Sequence, residues 1–448
     1  LQLCESIYKP GAPPDLFKGN LKTSKMIFYQ YGSENTVMSP SDLEYGVYSA
    51  LVKIGQRKKI LVVPPDFTRF HSRAGDITTL LYNYYTDSLT DILPALGTHS
   101  PMTGSEIDRM YKGIPKELFR IHDWRKDVVT AGTVPSEYVS ELTEGKLNYT
   151  WPAQLNRIVK NGGHDLILSV GQVVPHEVVG MANYNKNLFV GTGGPEGINK
   201  SHFVGAVYGM ERMMGKADTP VRRLLNYASE KFIPNLPVVY IHTVIGREET
   251  GKLVIRGLFI GDDYEVFRLA CELSLKVNFT VLDKPLAKTV VFLDPAEFKS
   301  TWLGNKSIYR TRMAMDDNGE LIILAPGLKE FGEDKEIDRL IRKYGYNGTP
   351  ATLKAVEENA ELKTNLSAAA HLIHGSSEGR FSITYCPGYL SKQEIESVNF
   401  RYGDLKTYAK KYDPAKLKEG YNRLQNGEEI YFISNPAVGL WASKDKLK

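Results

Sequence analysis

His99, His176 and His202 are three of the nine histidines in the chain, and each follows an apolar run or stands in a glycine-rich stretch. His99 comes after Gly97-Thr98, His176 after Gly171-Gln172-Val173-Val174-Pro175, and His202 within Asn199-Lys200-Ser201-His202-Phe203. An imidazole with a pKa near ~6.5 can give or take a proton at neutral pH, which suits it to acid/base work. The spacing from His176 to His202 fits no common zinc signature. His-Glu-x-x-His and paired Cys-x-x-Cys are both missing from the sequence, so a standard structural zinc site is disfavoured. Lys186, in Asn183-Tyr184-Asn185-Lys186-Asn187, lies between the two later histidines. It reads either as a solvated lysine or as a partly desolvated amine that acts as a nucleophile and covalent anchor.

Two further segments carry polar chemistry. Gly191-Thr192-Gly193-Gly194-Pro195-Glu196-Gly197 precedes an expected helix. Glycines let backbone N–H groups approach an anion, and a helix start adds favourable partial charge. The pattern is neither a Walker motif nor a strict dinucleotide fingerprint, and a plain turn is the competing reading. Asp66-Phe67-Thr68-Arg69 follows Pro64-Pro65. Asp66 and Arg69 can clasp each other, or Arg69 can hold a carboxylate with its planar fork while Asp66 holds a hydroxyl.

The elements that must position these groups alternate between strand and helix. Strands are expected over 26–29, 59–63, 92–96, 165–170 and 187–190, with a hairpin of 238–245 and 253–260 around Arg247-Glu248-Glu249-Thr250-Gly251. Ser39 with Pro40, and Thr103 with Glu106, have the spacing of helix starts. A helix is expected over 262–275, and a second series of strands at 289–293, 321–325 and 381–385. The opening, through about Lys22, reads as an irregular arm. This alternation predicts an α/β fold of two domains with mostly parallel sheets and the active site in the cleft between them. The expected domains are 1–284 and 285–416, and the tail 417–448 can return to complete the first. Asp66, Arg69, His99 and His176 all fall at or just past expected strand ends, where such sheets gather functional groups.

Composition closes off other classes. The chain has 448 residues, 42% hydrophobic and 24% charged, which is ordinary for a soluble globular protein of two or three domains. No run approaches the ~20 apolar residues of a membrane span. Fifty-six basic against 52 acidic residues leave a net charge of +4, too balanced for a dedicated nucleic-acid binder. Cys4, Cys271 and Cys386 are far apart and odd in number, which favours a reducing, cytoplasmic compartment over a disulfide scaffold.

Taken in order, Asp66-Phe67-Thr68-Arg69, Gly97-Thr98-His99, and His176 followed by Lys186 and His202 resemble the lactate racemase family, racemases and epimerases that use a nickel-pincer nucleotide. Each short motif is unspecific alone, but the ordered set is specific. The resemblance runs from about residue 61 to beyond 325 and is strongest over 61–210. It implies that Lys186 joins covalently to pyridinium-3,5-bisthiocarboxylic acid mononucleotide, with Asp66, Gly193, Gly194 and Tyr309 as further cofactor contacts and His202 as the nickel ligand. It implies that His99 and His176 flank the substrate as the acid/base pair and that Arg69 grips its carboxylate. Removing hydride from C2 while a histidine takes the hydroxyl proton avoids a carbanion that imidazole is too weak a base to form. Two histidines are needed because the hydroxyl lies on opposite sides in the two isomers. The partners implied are a small hydroxy acid and the proteins that install the cofactor, with no nucleic acid and no membrane.

One departure bears on the substrate. The family places a lysine four residues after the tyrosine, and Tyr309-Arg310-Thr311-Arg312-Met313 puts Met313 there. Arg310 or Arg312 is then expected to supply the positive charge, and the substrate to be a sugar acid of the gluconate or mannonate type rather than lactate. Two other readings compete: a His-lined metal-dependent hydrolase or lyase, and a non-catalytic two-lobed sugar-acid binder. A pyridoxal enzyme using Lys186 is a weaker fourth.

Overall fold

The computed structural model describes residues 26–248 and 251–447. The expected N-terminal arm, Cys4 and the hairpin residues Glu249 and Thr250 lie outside the described residues. Six strands form a first sheet: β1 Ile27–Gly32, β2 Ile60–Val63, β3 Leu89–Ile92, β4 Leu166–Gln172, β5 Val238–Arg247 and β6 Leu253–Gly261. Their spatial order is β1-β6-β5-β4-β2-β3. The β5-β4-β2-β3 ladder is parallel, and the expected hairpin closes as the antiparallel β5–β6 pair, with β1 antiparallel at its edge.

Strands β2 and β4 are buried at every residue, as parallel strands covered on both faces must be. Their side chains alternate between two apolar layers. Ile60, Val62, Leu166 and Leu168 pack with residues of the helices Pro40–Ile54 and Ala74–Tyr85. Leu61, Val63 and Ile167 pack with Val221, Leu224 and Leu225 of the helix Pro220–Phe232. The helix Pro40–Ile54 opens as expected, with Ser39 and Asp42 forming a reciprocal capping box and Pro40 in the first turn.

A second sheet holds β7 Leu286–Phe292, β8 Met315–Ala325, β9 Ser382–Pro387, β10 Arg401–Tyr402, β11 Gly420–Arg423 and β12 Glu429–Ile433, in the order β10-β9-β8-β7-β12-β11. Every pair is parallel except β11–β12. The architecture is mixed α/β with mainly parallel sheets.

Three expectations need correcting. The tail from 417 adds β11 and β12 to the second sheet rather than to the first. Ile430 and Phe432 bury on one face with Val290 and Ile322, while Tyr431 and Ile433 bury on the other with Val291 and Ile323. Only the last strand, Leu440–Ser443, pairs elsewhere, in parallel with Phe279–Leu282. The strand expected over 92–96 lies upstream, ending at Ile92. Residues 187–190 form a π-helical turn, Asn187–Gly191, closed by Thr192 N–H donating to Asn187 O at 2.8 Å. A four-residue apolar run does not distinguish strand from helix by periodicity.

Cys271 and Cys386 are buried free thiols. Among the described residues, no helix is long and apolar enough to cross a membrane.

Candidate active site

Asp66, Arg69, His99, His176, Lys186 and His202 line one cavity, which Lys306, Tyr309 and Arg310 complete from the segment after β7. Asp66 stands three residues past β2, where it caps the tight turn Phe67–Ser72 by accepting from Thr68 N at 3.1 Å. Its other oxygen meets His99 Nδ1 at 2.5 Å. Burial alone would raise the Asp66 pKa. His99, Arg69 and the Thr68 hydroxyl outweigh it and hold the carboxyl down at about 2. An ionised carboxylate only accepts, so Nδ1 of His99 carries the proton and Nε2 is left for chemistry. Gly97 N–H donates to Gly191 O at 2.8 Å, which ties the His99 loop to the Lys186 segment.

His176 sits in a two-residue ladder, Pro175–His176 against Gly180–Met181. Its Nδ1 accepts from Val178 N–H at 3.1 Å and lies 3.6 Å from Glu177 Oε2. Burial, then the positive charges of Lys186, Arg69 and Arg310, push the His176 pKa well down, against the opposing pull of Glu177. The resting ring is therefore neutral with its proton on Nε2. Glu177 itself is held at about 2: burial raises it, and His176, Arg310 and Lys306 pull it back.

Lys186 is carried by a backbone that few sequences adopt. Asn183 and Tyr184 have φ of 71° and 59°, left-handed values that cost energy for non-glycine residues and persist only when the surroundings fix them. Arg222, fully buried on the helix Pro220–Phe232, supplies the fixation. It donates to Met181 O at 2.7 Å, to Asn183 O at 3.2 Å and to the Asn185 side chain. Asn187 braces the other side by donating to Asn183 Oδ1 at 2.8 Å and Val170 O at 3.2 Å. Burial and then Arg69 lower the Lys186 pKa to about 8. That is the environment a nucleophilic amine needs.

His202 lies on the helix Pro195–Tyr208, with Nδ1–H donating to Ile198 O at 2.8 Å. Its Nε2 keeps a free lone pair, and burial lowers the ring pKa to about 4. A neutral imidazole whose second nitrogen is fixed by a carbonyl is the form that ligates metals.

Sequence reasoning missed one wall of the cavity. On the helix Leu366–His374, Ser367, Ala370, His371 and His374 follow i, i+3, i+4, i+7 spacing and face inward. That stripe was present in the sequence as a signal. His371 is engaged by Tyr346 OH at 3.0 Å, whereas His374 Nε2 and Ser367 Oγ have no partner among the described residues. Gln172, at the end of β4, is likewise buried, with the His71 ring beside its amide. Lys306 and Glu177 were also missed, because nothing in their local sequence distinguishes them from solvated residues.

Three expected residues are not brought to the cavity, and Met313 is apart from it too. Gly193 and Gly194 serve close packing. A Cβ on Gly193 would stand 2.0 Å from Phe189 O, and one on Gly194 would stand 2.6 Å from the Gln154 side chain. Arg312 is buried behind the His-bearing helix, donating to Ile373 O and His374 O at 3.1 Å each. Arg310 and Arg312, two apart, face different sides of a helical turn, and it is Arg310 that lines the site. Met313 packs in an apolar cluster with Met210, Met214 and Leu440.

The donor set fits a tethered group better than a bare ion. Among the described residues, no three His, Cys, Asp or Glu side chains converge to hold a metal. One imidazole with a free Nε2 and one low-pKa amine are what a lysine-linked nucleotide carrying its own metal donors would require.

Residues 47–214 match the lactate racemase N-terminal domain family. The crystal structure of a protein from Thermotoga maritima superposes with a TM-score of 0.77 at 24% identity, over 92% of this chain and 100% of that one. The lactate racemase apoprotein from Thermoanaerobacterium thermosaccharolyticum superposes with a TM-score of 0.64 at 17% identity, over 92% of this chain and 91% of that one. At these identities the likeness is one of fold. A comparison with curated proteins finds no match.

Proposed function

We propose, from the lactate racemase N-terminal domain that residues 47–214 represent, that this protein is an isomerase, a racemase or epimerase inverting C2 of a 2-hydroxy acid. The observation that carries the reading is the convergence of His99, His176, Lys186, His202 and Arg69 on one cavity. Lys186 would anchor the nickel-pincer nucleotide and His202 Nε2 would ligate its nickel. When bound, that group would supply a hydride acceptor, which no side chain provides. Its loading would depend on separate installation proteins.

The protein's own contribution is positioning and proton handling. Arg69 would take the substrate carboxylate in its fork and so fix C2 between the two histidines. His99 Nε2, its other nitrogen held by Asp66, would take the hydroxyl proton of one isomer. His176 would serve the hydroxyl of the other through Nε2 once its proton has moved to Nδ1, on the side of Glu177. Burial excludes water from His176, while His99 is partly exposed. The two sheets would correspond to two domains meeting near residue 284, with the cavity between them.

A sugar acid of the gluconate or mannonate type is the substrate we favour. The unpartnered Ser367 hydroxyl and His374 Nε2 are hydrogen-bonding groups that extra substrate hydroxyls would satisfy. A His-lined hydrolase is less well supported, since catalytic zinc takes three protein ligands and no such cluster occurs among the described residues.

The test uses cofactor-loaded protein and 2-deuterated hydroxy acids. Inversion with the label retained at C2, together with a mass addition on Lys186, is expected. Exchange of the label with solvent would overturn the reading.

A further inference from the structure

Gly191 and Gly193 lie in the stretch of chain that joins Lys186 to His202, and each gives its carbonyl to a distant donor. Gly191 O accepts from Gly97 N–H at 2.8 Å. Gly193 O accepts from His122 Nε2, 3.0 Å away and 71 residues earlier in the chain. His122 is 2% exposed and stands behind the cavity rather than in its lining. Its proton is fixed by a second neighbour. Asn156 accepts from Ile158 N–H through Oδ1 at 2.9 Å, so its Nδ2 donates to His122 Nδ1, also at 2.9 Å. Nδ1 is therefore the acceptor, and Nε2–H is the donor that the buried Gly193 carbonyl requires.

Asn156 ends one strand of an antiparallel ladder, Val128–Val134 with Trp151–Asn156. The same strand seats the His202 helix at its first turn. Trp151 Nε1–H donates to Gly197 O at 2.9 Å, and Gln154 Oε1 accepts from Gly197 N–H at 3.0 Å. From there the path to the imidazole is short. Ile198 N–H donates to Gly194 O at 2.9 Å, and Ile198 O accepts from His202 Nδ1–H at 2.8 Å. Gly193 and Gly194 have no side chains with which to brace the bend, so its position is set from outside. Lys186 is held separately, through Arg222 and Asn187.

We propose that His122 is a positioning residue which, with Gln154, fixes the separation between the Lys186 amine and the His202 imidazole. This rests on the reading of Lys186 as covalent anchor and His202 as nickel ligand. One group attached at both points tolerates a mismatch of only ~0.5 Å, so the backbone between them has to be held as firmly as the two side chains. The clamp acts through hydrogen bonds to backbone, and what it needs at position 122 is an N–H directed at Gly193 O rather than an imidazole.

The experiment loads the unaltered, His122→Phe, His122→Gln and Gln154→Leu proteins with the nickel-pincer nucleotide. It measures the mass addition on Lys186 and the rate at which nickel passes to a chelator. His122→Phe and Gln154→Leu should carry the Lys186 addition at the unaltered level and release nickel about tenfold faster. His122→Gln returns an N–H to the place of Nε2 and should restore slow release. In the cofactor-free variants Lys186 should keep a half-maximal rate of reductive methylation near pH 8. Unchanged nickel release in His122→Phe overturns the proposal. So does a Lys186 addition that falls in step with nickel retention, or a methylation curve displaced toward that of surface lysines, because either marks a general loosening of the fold. Gln154→Leu decides the matter by the same two measurements where His122→Phe does not fold. The anchor-and-ligand reading fails separately: unaltered loaded protein without the Lys186 addition, or His202→Ala that holds nickel as firmly, sinks that reading and this proposal with it.

Discussion

His176 and Glu177, consecutive in the chain, face each other at Nδ1 and Oε2 across 3.6 Å. The other site histidine has the same arrangement drawn tight, with Asp66 Oδ2 2.5 Å from His99 Nδ1. Each imidazole thus has a carboxylate behind the nitrogen that faces away from the chemistry. The difference is the Val178 N–H, which occupies His176 Nδ1 at 3.1 Å. For His176 to carry a second proton it must release that N–H and turn Nδ1–H to Glu177, whereas His99 already donates to its carboxylate. The two imidazoles are chemically unequal partners in what would be a symmetric reaction.

Glu177 is a positioning residue under this arrangement, and Glu177→Gln tests it. Glu177 raises the His176 pKa against burial and three cations, so its loss should drive that pKa lower still. We expect kcat/KM to fall about tenfold to a hundredfold, by the same factor from either isomer because the equilibrium constant is fixed. The basic limb of kcat, set by loss of the His176 proton, should move to lower pH in the direction that needs that ring protonated. Rate–pH profiles measured from each isomer check this. A basic limb of kcat that stays in place, or that moves equally in both directions, would contradict the assigned asymmetry.

Asp66→Asn removes the tight dyad. An amide no longer forces the proton onto His99 Nδ1, so Nε2 loses its role as base. The expected loss in kcat is about a thousandfold or more, the scale seen when a buried carboxylate behind a catalytic histidine is replaced. Stability gives a second readout. The folded pKa of Asp66, about 2, lies below its ordinary 3.8, so the unfolded chain binds the proton more readily. The stabilisation is fully present above about pH 4 and is lost as pH falls through 2. The stability gap between Asp66→Asn and the unaltered protein, followed by denaturant melts, should close over that range.

What the sequence revealed was local, and what it concealed was long-range. The Ser39–Asp42 and Thr103–Glu106 capping boxes form as their spacing required, because a cap involves only neighbours. Strand-end placement likewise brought Asp66, His99 and His176 to one mouth of the first sheet. The Lys306 side of the cavity depends on which helices pack together. Ser367 N–H donates to Asn199 Oδ1 at 3.1 Å across 168 residues of chain, and no window of sequence contains that contact. Gly193 and Gly194 show the converse error. Their composition suggests an anion cradle, but backbone and side-chain crowding explains them. The strand assigned to 187–190 failed because a short apolar run fits several structures, and the neighbours with positive φ favoured a tight turn.

Arg222 holds the loop that presents Lys186, and Arg222→Met should expose that dependence. The substitution leaves the carbonyls of Met181 and Asn183 without their donor in a fully buried site. Unsatisfied buried acceptors and a lost network together cost about 3 kcal/mol. Urea unfolding should show a lower midpoint with an unchanged slope, the mark of altered stability rather than altered compactness. Arg223→Met, one residue along the same helix but paired with Asp218 at the surface, should stay within about 0.5 kcal/mol of the unaltered protein.

Lys186 provides the most direct test of the site's electrostatics, because its amine can be titrated without any cofactor. Burial and Arg69 bring its pKa from 10.5 to about 8, so about a tenth of the amine is unprotonated at pH 7, against under ~0.1% for an ordinary lysine. Reductive methylation with a small aldehyde, followed by peptide mass spectrometry, should show Lys186 reacting with a half-maximal rate near pH 8. Surface lysines should follow only above pH 10. Arg69→Met removes a neighbouring positive charge and should shift the Lys186 curve to higher pH. The linkage to stability runs in the same sense. The folded amine releases its proton at lower pH than the unfolded one, so burial of the charged form is a penalty that lifts as pH rises from about 8 to 10.5. Lys186→Met should therefore be more stable than the unaltered protein below pH 8, with the advantage shrinking across that window. A Lys186 curve that tracks the surface lysines would mean the amine is solvated, and the anchor role would fall with it.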